Sequence, residues 1–183
     1  MPTIYLSPST QEYNPYIIGG DEEYYMNLIA DAMIPYLDAS GIDWVRNTPA
    51  MTAATSIAAS NAGNYDAHVA LHSNASPENL SGQLQGTDVY YFPASTRGRR
   101  LAEITADNLR AIYPNPALVT ARETTRLGEV SRTRAPAILI EFAYHDNLED
   151  ALWIADNINP IARNVVLSLT QYFGIPFVEP TVA

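Results

Sequence analysis

The sequence predicts a single three-layer α/β domain with a mostly parallel, twisted sheet and helices on both of its faces. Strand-like apolar runs alternate with helical patterns along the chain, which is typical of a parallel sheet with crossover helices. Two of the runs, at residues 65–75 and 137–141, are apolar enough to be central strands. The length of 183 residues suits one domain with a sizeable core.

The first half of the chain begins with a strand and a loop, and a loop placed directly after a first strand often carries functional residues. The predicted elements are a strand at 3–7, a polar and aromatic loop at 9–16, a helix at 22–39, a strand at 42–46 and a helix at 52–62. Asp21 is a suitable N-cap for the first helix, with Glu22 and Glu23 in the turn where the helix dipole favours acids. The predicted apolar face of that helix comprises Leu28, Ile29, Ala32, Met33 and Leu37.

The second half of the chain continues the alternation. The predicted elements are a strand at 65–75, a strand at 87–92, a helix at 97–112, a short edge strand at 118–120, a polar loop at 124–134, a strand at 137–141 and a long helix at 148–173. Proline lacks the backbone N–H that a helix interior uses, so we expect the long helix to be interrupted at Pro160.

Composition and charge exclude several kinds of site and partner. The net charge of −10 argues against a nucleic-acid backbone or an anionic membrane as the main partner. The chain has no cysteine, so any metal would be held by histidine, carboxylate or amide oxygen. No apolar stretch approaches the ~20 residues that cross a bilayer, and no signal peptide is visible at the N-terminus.

Ionisable residues end both predicted central strands. His72 follows the apolar run of the first, and Glu141 ends the second. Open α/β sheets carry their chemistry at the carboxyl ends of strands. A lone histidine at a strand end is more often a satisfied structural residue, but two such strand ends can converge on one site. Glu23, in the first helical turn after the first loop, can reach the same edge of the sheet.

Five segments together resemble the zinc-dependent N-acetylmuramoyl-L-alanine amidases, which are peptidoglycan hydrolases of bacteria and phages. The segments are IYLSP at 4–8, EYYMNL at 23–28, LHSNA at 71–75, GTDVYY at 86–91 and PAILIE at 136–141. The resemblance covers nearly the whole chain, and its strength lies in the order and spacing of the motifs. It implies that Glu23 and His72 bind zinc and that Glu141 is the catalytic base.

The chain departs from this family at the first loop. The family usually has a Gly-His pair after the first strand, and that histidine binds zinc, whereas this chain has Thr10 and Gln11 there. His68 lies ~13 Å from His72 along a strand, too far to share a metal with it. His145 could approach from the loop after Glu141 or be a surface residue. We favour Gln11 as the third ligand or as the holder of a metal-bound water; Thr10 or a water is the alternative.

The resemblance implies an amidase-like catalytic domain at 1–176 followed by a C-terminal tail at 177–183. The expected reaction is hydrolysis of the amide between N-acetylmuramic acid and L-alanine of the stem peptide by metal-activated water. The expected substrate is peptidoglycan at the bacterial cell wall, outside the cell, with no nucleic-acid partner. Two alternatives stay open: a degenerate amidase that only binds cell-wall fragments, and another zinc amidohydrolase or carboxypeptidase.

Overall fold

A computed structural model describes residues 1–181 and places six strands in one sheet. The strands are β1 (Thr3–Pro8), β2 (Asp43–Arg46), β3 (Ala67–Asn74), β4 (Thr87–Tyr91), β5 (Val119–Glu123) and β6 (Ala137–Tyr144), in the order β2-β1-β3-β6-β4-β5. Neighbouring strands are parallel except for β4 and β6, which are antiparallel. The predicted α/β class with a mostly parallel sheet is confirmed.

Helices cover both faces of this sheet. They are α1 (Glu22–Ala39), α2 (Ala53–Ala62), α3 (Thr96–Arg110), α4 (Gly128–Ser131), α5 (Leu148–Asp156) and α6 (Ile158–Phe173). The larger layer contains α1, α3 and α6, and buries Leu71 and Ile140 in the main core. The smaller layer contains α2 and α4, and a second apolar cluster there joins Ala70 and Leu139 to Val130. Because side chains alternate along a strand, His72 shares the face of Ala70.

Two predicted segments differ from the structure. The predicted long helix is interrupted at Asn157, where φ is −122° and ψ is 26°, and not at Pro160. Pro160 lies in the first turn of α6, where the backbone N–H has no intrahelical partner and its loss costs little. The segment predicted as a polar loop contains the short helix α4, which carries the buried Glu129.

Residues 177 and 178 pack against the first helix. Phe177 stacks on Tyr36 with 6.1 Å between ring centroids, and the N–H of Val178 donates to Ser40 Oγ at 3.1 Å. The division into a domain at 1–176 and a tail at 177–183 stays a prediction, and positions 182 and 183 fall outside the described residues. Within residues 1–181, no helix is long and apolar enough to cross a membrane.

Candidate active site

Three ionisable residues lie side by side on one face of the sheet. His72 of β3 is the register partner of Glu141 on the parallel strand β6. Asp88, at the start of β4, is the register partner of Glu141 on the other side. Since β4 runs against β6, its first residues reach the edge where β3 and β6 end. The predicted convergence of His72 and Glu141 at the carboxyl edge is therefore present in the fold.

His72 lies between two carboxylates. Its Nδ1 is 2.8 Å from Glu22 Oε1, and its Nε2 is 3.0 Å from Glu129 Oε2. Burial alone would lower the pKa of His72, but its hydrogen bonds to Glu129 and Glu22 raise that pKa well above the usual value. When both ring nitrogens carry a proton, the imidazole donates to both acids.

A tight turn and a helix cap place Glu22 at this edge. Gly19 and Gly20 have φ values of 91° and 76°, a region that favours glycine, and the turn leads directly to the N-cap residue Asp21. Asn14 then fixes the acid, because its Nδ2 donates to Glu22 Oε2 at 2.6 Å. The first turn of α1 thus carries a carboxylate from outside the sheet onto the imidazole of His72.

The ionised form of Glu22 is favoured despite its burial. Burial raises the pKa of this carboxyl. Hydrogen bonds from His72, Asn14 and Ser9, together with the charge of His72, lower the pKa by a larger amount, so the net pKa lies below the usual value. The ionised carboxylate of Glu22 and the imidazole of His72 are together a suitable pair of ligands for a divalent cation.

Glu23, the acid expected at this position, lies elsewhere. It faces a separate shallow groove that is also lined by Leu28 and Arg46. Successive helical residues point about 100° apart, so only one of two adjacent acids can face the sheet edge. In the structure, therefore, Glu22 and not Glu23 contacts His72.

Gln11 reaches the same imidazole from the first loop. Its Nε2 lies 3.3 Å from His72 Nδ1, while its Oε1 accepts hydrogen bonds from Asn14 Nδ2 at 3.1 Å and from Tyr13 Oη at 3.3 Å. Among residues 1–181, no three histidine, cysteine, aspartate or glutamate side chains are grouped to hold a metal. Glu22 and His72 are thus two strong donors, and a third donor in this structure would be a neutral amide.

Glu141 has the properties of a general base. Its Oε2 is buried and has no hydrogen-bond partner among the described residues. Burial, with the negative charges of Glu22, Asp88 and Glu129, raises the pKa of Glu141 to about 7, although the charge of His72 opposes the shift. A base with a pKa near the working pH combines an available ionised form with real proton affinity. The unpartnered oxygen leaves one hydrogen-bonding position for a water or a substrate N–H.

Sequence reasoning missed Glu129. Its Oε1 accepts from Ser7 Oγ at 2.5 Å and lies 3.2 Å from His68 Nε2, while its Oε2 holds His72. One carboxylate therefore joins the two histidines that strand spacing separates. His145, by contrast, is buried away from this cluster: its Nδ1 is 3.0 Å from Ser73 Oγ, and its backbone carbonyl accepts from the N–H of Ile17.

A groove of about 250 Å³ opens beside the cluster. It runs between the first loop and the start of α2, and its lining includes Gln11, Tyr13, Asn47, Met51, His72 and Glu129. Glu141 is not part of this lining, so the groove approaches His72 from the side of Gln11.

Comparison with known proteins identifies the family. The family model described as N-acetylmuramoyl-L-alanine amidase matches residues 14–171. No curated protein matches the chain significantly. Among solved structures, amidase AmiC2 of Nostoc punctiforme is similar at 18% identity and a TM-score of 0.81, covering 94% of this chain and 97% of that one. An N-acetylmuramoyl-L-alanine amidase from Clostridium difficile 630 has 15% identity and a TM-score of 0.82, with coverage of 94% and 97%.

A third similar structure is the catalytic domain of an endolysin targeting Clostridia difficile. It has 22% identity and a TM-score of 0.74, and the match covers 93% of this chain and 98% of that one. At these identities the solved structures establish the fold, and the family model establishes the relationship. The chain belongs to the N-acetylmuramoyl-L-alanine amidase family and is a peptidoglycan hydrolase.

Proposed function

We propose that this chain cleaves the amide between N-acetylmuramic acid and L-alanine of the stem peptide, with zinc as its cofactor and Glu141 as the base. The observation that carries the proposal is the buried, unpartnered Oε2 of Glu141 beside the His72–Glu22 pair. Burying a carboxylate oxygen without a hydrogen-bond partner lowers the stability of the fold. A role for Glu141 as the base in hydrolysis accounts for this arrangement.

Zinc fits the donors present at this edge. Glu22 and His72 would hold the ion through a carboxylate oxygen and Nδ1. Gln11, whose carboxamide lies 3.3 Å from His72 Nδ1, would supply the third donor through its amide oxygen. A catalytic zinc with three protein ligands and one open position lowers the pKa of bound water and polarises a carbonyl.

The residues of the chain would move the proton and hold the geometry. Glu141 takes a proton from the attacking water, whose oxygen bonds to the lactyl carbonyl carbon. The C–N bond then breaks, and Glu141 returns the proton to the departing amine of L-alanine. The products are a lactyl carboxylate on the sugar and a peptide with a free N-terminus. Peptidoglycan lies outside the cell, so we place this activity at the bacterial cell wall.

The proposal is tested by digestion of purified peptidoglycan. We expect release of stem peptides with a free L-alanine N-terminus, loss of this activity in excess chelator, and its recovery with zinc. Mass spectrometry of the fragments identifies the bond. Binding to peptidoglycan without any released fragment would contradict hydrolysis, and fragments cut within the peptide would indicate a carboxypeptidase or another zinc amidohydrolase.

Substitutions at Gln11 test the third donor. We expect Gln11→His to bind zinc more tightly than the wild type, because imidazole is a better zinc ligand than a neutral amide, and Gln11→Ala to bind it several-fold more weakly. Competition titration against a chelator measures the affinity. Thr10→His is the matched control in the same loop. If only Thr10→His raises the affinity, while both Gln11 variants leave it unchanged, Gln11 is not a ligand.

A further inference from the structure

We infer that Glu129 is a positioning residue, which fixes His72 with its proton on Nε2 and so leaves Nδ1 free to bind the metal. The inference rests on the proposed zinc site but concerns a different residue, outside that ligand set. Glu129 Oε2 is 3.0 Å from His72 Nε2, on the side of the ring opposite Glu22. A neutral imidazole has one N–H, and its position is set by the partner of each nitrogen.

Glu129 is itself held rigidly. Its other oxygen, Oε1, accepts from Ser7 Oγ at 2.5 Å and lies 3.2 Å from His68 Nε2. His68 is fully buried, and its Nδ1 lies 2.9 Å from Ser60 Oγ. Every polar atom of the carboxylate is therefore used, and Glu129 cannot turn away from His72 without losing bonds to two other buried groups.

The partners of Glu129 explain why an acid is buried between the sheet and the smaller helix layer. Helix α4 is one turn long and places Glu129 among Ser7, His68 and His72, beside the apolar contact of Val130 with Leu139. A buried charge with no partner would be strongly unfavourable, and a purely apolar residue would satisfy packing at lower cost. The arrangement is the one in which a metal-bound histidine donates its second N–H to a carboxylate, which sets its tautomer and raises its basicity.

Loss of this contact is expected to weaken metal binding without removing a ligand. In Glu129→Gln, zinc affinity should fall about 10- to 100-fold, the usual effect of changing an outer partner of a metal-binding histidine. Asp150→Asn is the matched control, because Asp150 is also a buried acid and accepts from Tyr113 Oη and the backbone N–H groups of Gly86 and Tyr144, not from His72. We expect it to lower the thermal stability and leave zinc affinity within about threefold of the wild type.

Two measurements decide the inference. Chelator competition gives the zinc affinity. Long-range ¹H–¹⁵N spectra of zinc-free Glu22→Gln, in which the carboxylate on Nδ1 is replaced and that on Nε2 remains, give the tautomer of neutral His72. We expect Nε2–H in Glu22→Gln and a loss of that preference in the double variant Glu22→Gln/Glu129→Gln. If Glu129→Gln does not fold, Ser7→Ala keeps the carboxylate but removes one of the two partners of Oε1, and should weaken zinc binding in the same direction by a smaller factor.

The outcomes separate this inference from the proposed function. Unchanged zinc affinity in Glu129→Gln, or in Ser7→Ala if only that variant folds, would overturn the positioning role. A wild type that takes up no zinc would overturn the proposed cofactor, and the spectra alone would then decide the role of Glu129. In that case an Nδ1–H tautomer, or an equal mixture, in zinc-free Glu22→Gln contradicts the inference, and Nε2–H supports it.

Discussion

Glu141→Gln is expected to lower turnover ~100- to 10,000-fold, the usual contribution of a general acid–base residue, while zinc affinity and the fold are retained. Glutamine has nearly the size of glutamate but cannot take a proton from water. The decisive measurement is the rate of amide cleavage at saturating zinc. Glu103→Gln is the control, because Glu103 is an exposed acid paired with Arg99 on the outside of α3. A Glu141→Gln enzyme with near-normal turnover would show that Glu141 is structural.

Although it lowers turnover, Glu141→Gln is expected to stabilise the fold at high pH. The pKa of Glu141 rises from 4.5 to about 7 on folding, so between these pH values this one carboxyl holds its proton more in the folded protein than in the unfolded chain. This contribution to stability is fully present below about pH 4.5 and is lost as the pH rises through about 7. Glutamine stays neutral throughout. In zinc-free protein, Glu141→Gln should melt several degrees higher than the wild type at about pH 8, and the difference should shrink toward pH 4.

Glu22→Gln is expected to lower zinc affinity by more than the roughly 10- to 100-fold loss that follows when a residue hydrogen-bonded to a metal ligand is changed, because it removes a charged ligand itself. Glu23→Gln is the matched control: it changes the net charge equally and lies in the same helical turn, so its effect on the helix dipole is similar. We expect Glu23→Gln to leave the affinity near the wild-type value. Metal content and chelator competition measure both. A larger loss in Glu23→Gln would restore the ligand that the sequence predicted and would contradict the role of Glu22.

The choice between these two acids shows why the site was only partly predictable. The sequence places an acid in the first turn of α1 but leaves the rotation of the helix undetermined. The buried residues of α1 are Glu22, Met26, Ile29, Ala30, Met33 and Leu37, which form one face. The predicted face included Leu28 and Ala32, which are only half-buried, and this rotated the expected inner face by about one position. A phase set by Met26, Ile29 and Met33 selects Glu22.

The strands and the His72–Glu141 pair could be predicted because their signal is continuous. An apolar run that ends in an ionisable residue specifies both the strand and the edge at which it ends. Glu129 had no such signal, since α4 has four residues and no measurable periodicity. Its neighbours in the fold are Ser7 and His68, which lie 122 and 61 positions away in the sequence. Only the completed sheet brings these groups together.

The buried chain of contacts from Glu22 through His72 to Glu129 also ties the chemistry to the cooperativity of folding. The two bonds of His72 join residues 50 and 57 positions apart, and the Ser7–Glu129 bond closes a loop of 122 positions. The entropy cost of closing such loops is paid before the contacts form. An intermediate that lacks any of these contacts therefore lacks the complete site. Catalytic competence should appear in refolding only with the last, global step, and should disappear in denaturant together with the tertiary structure.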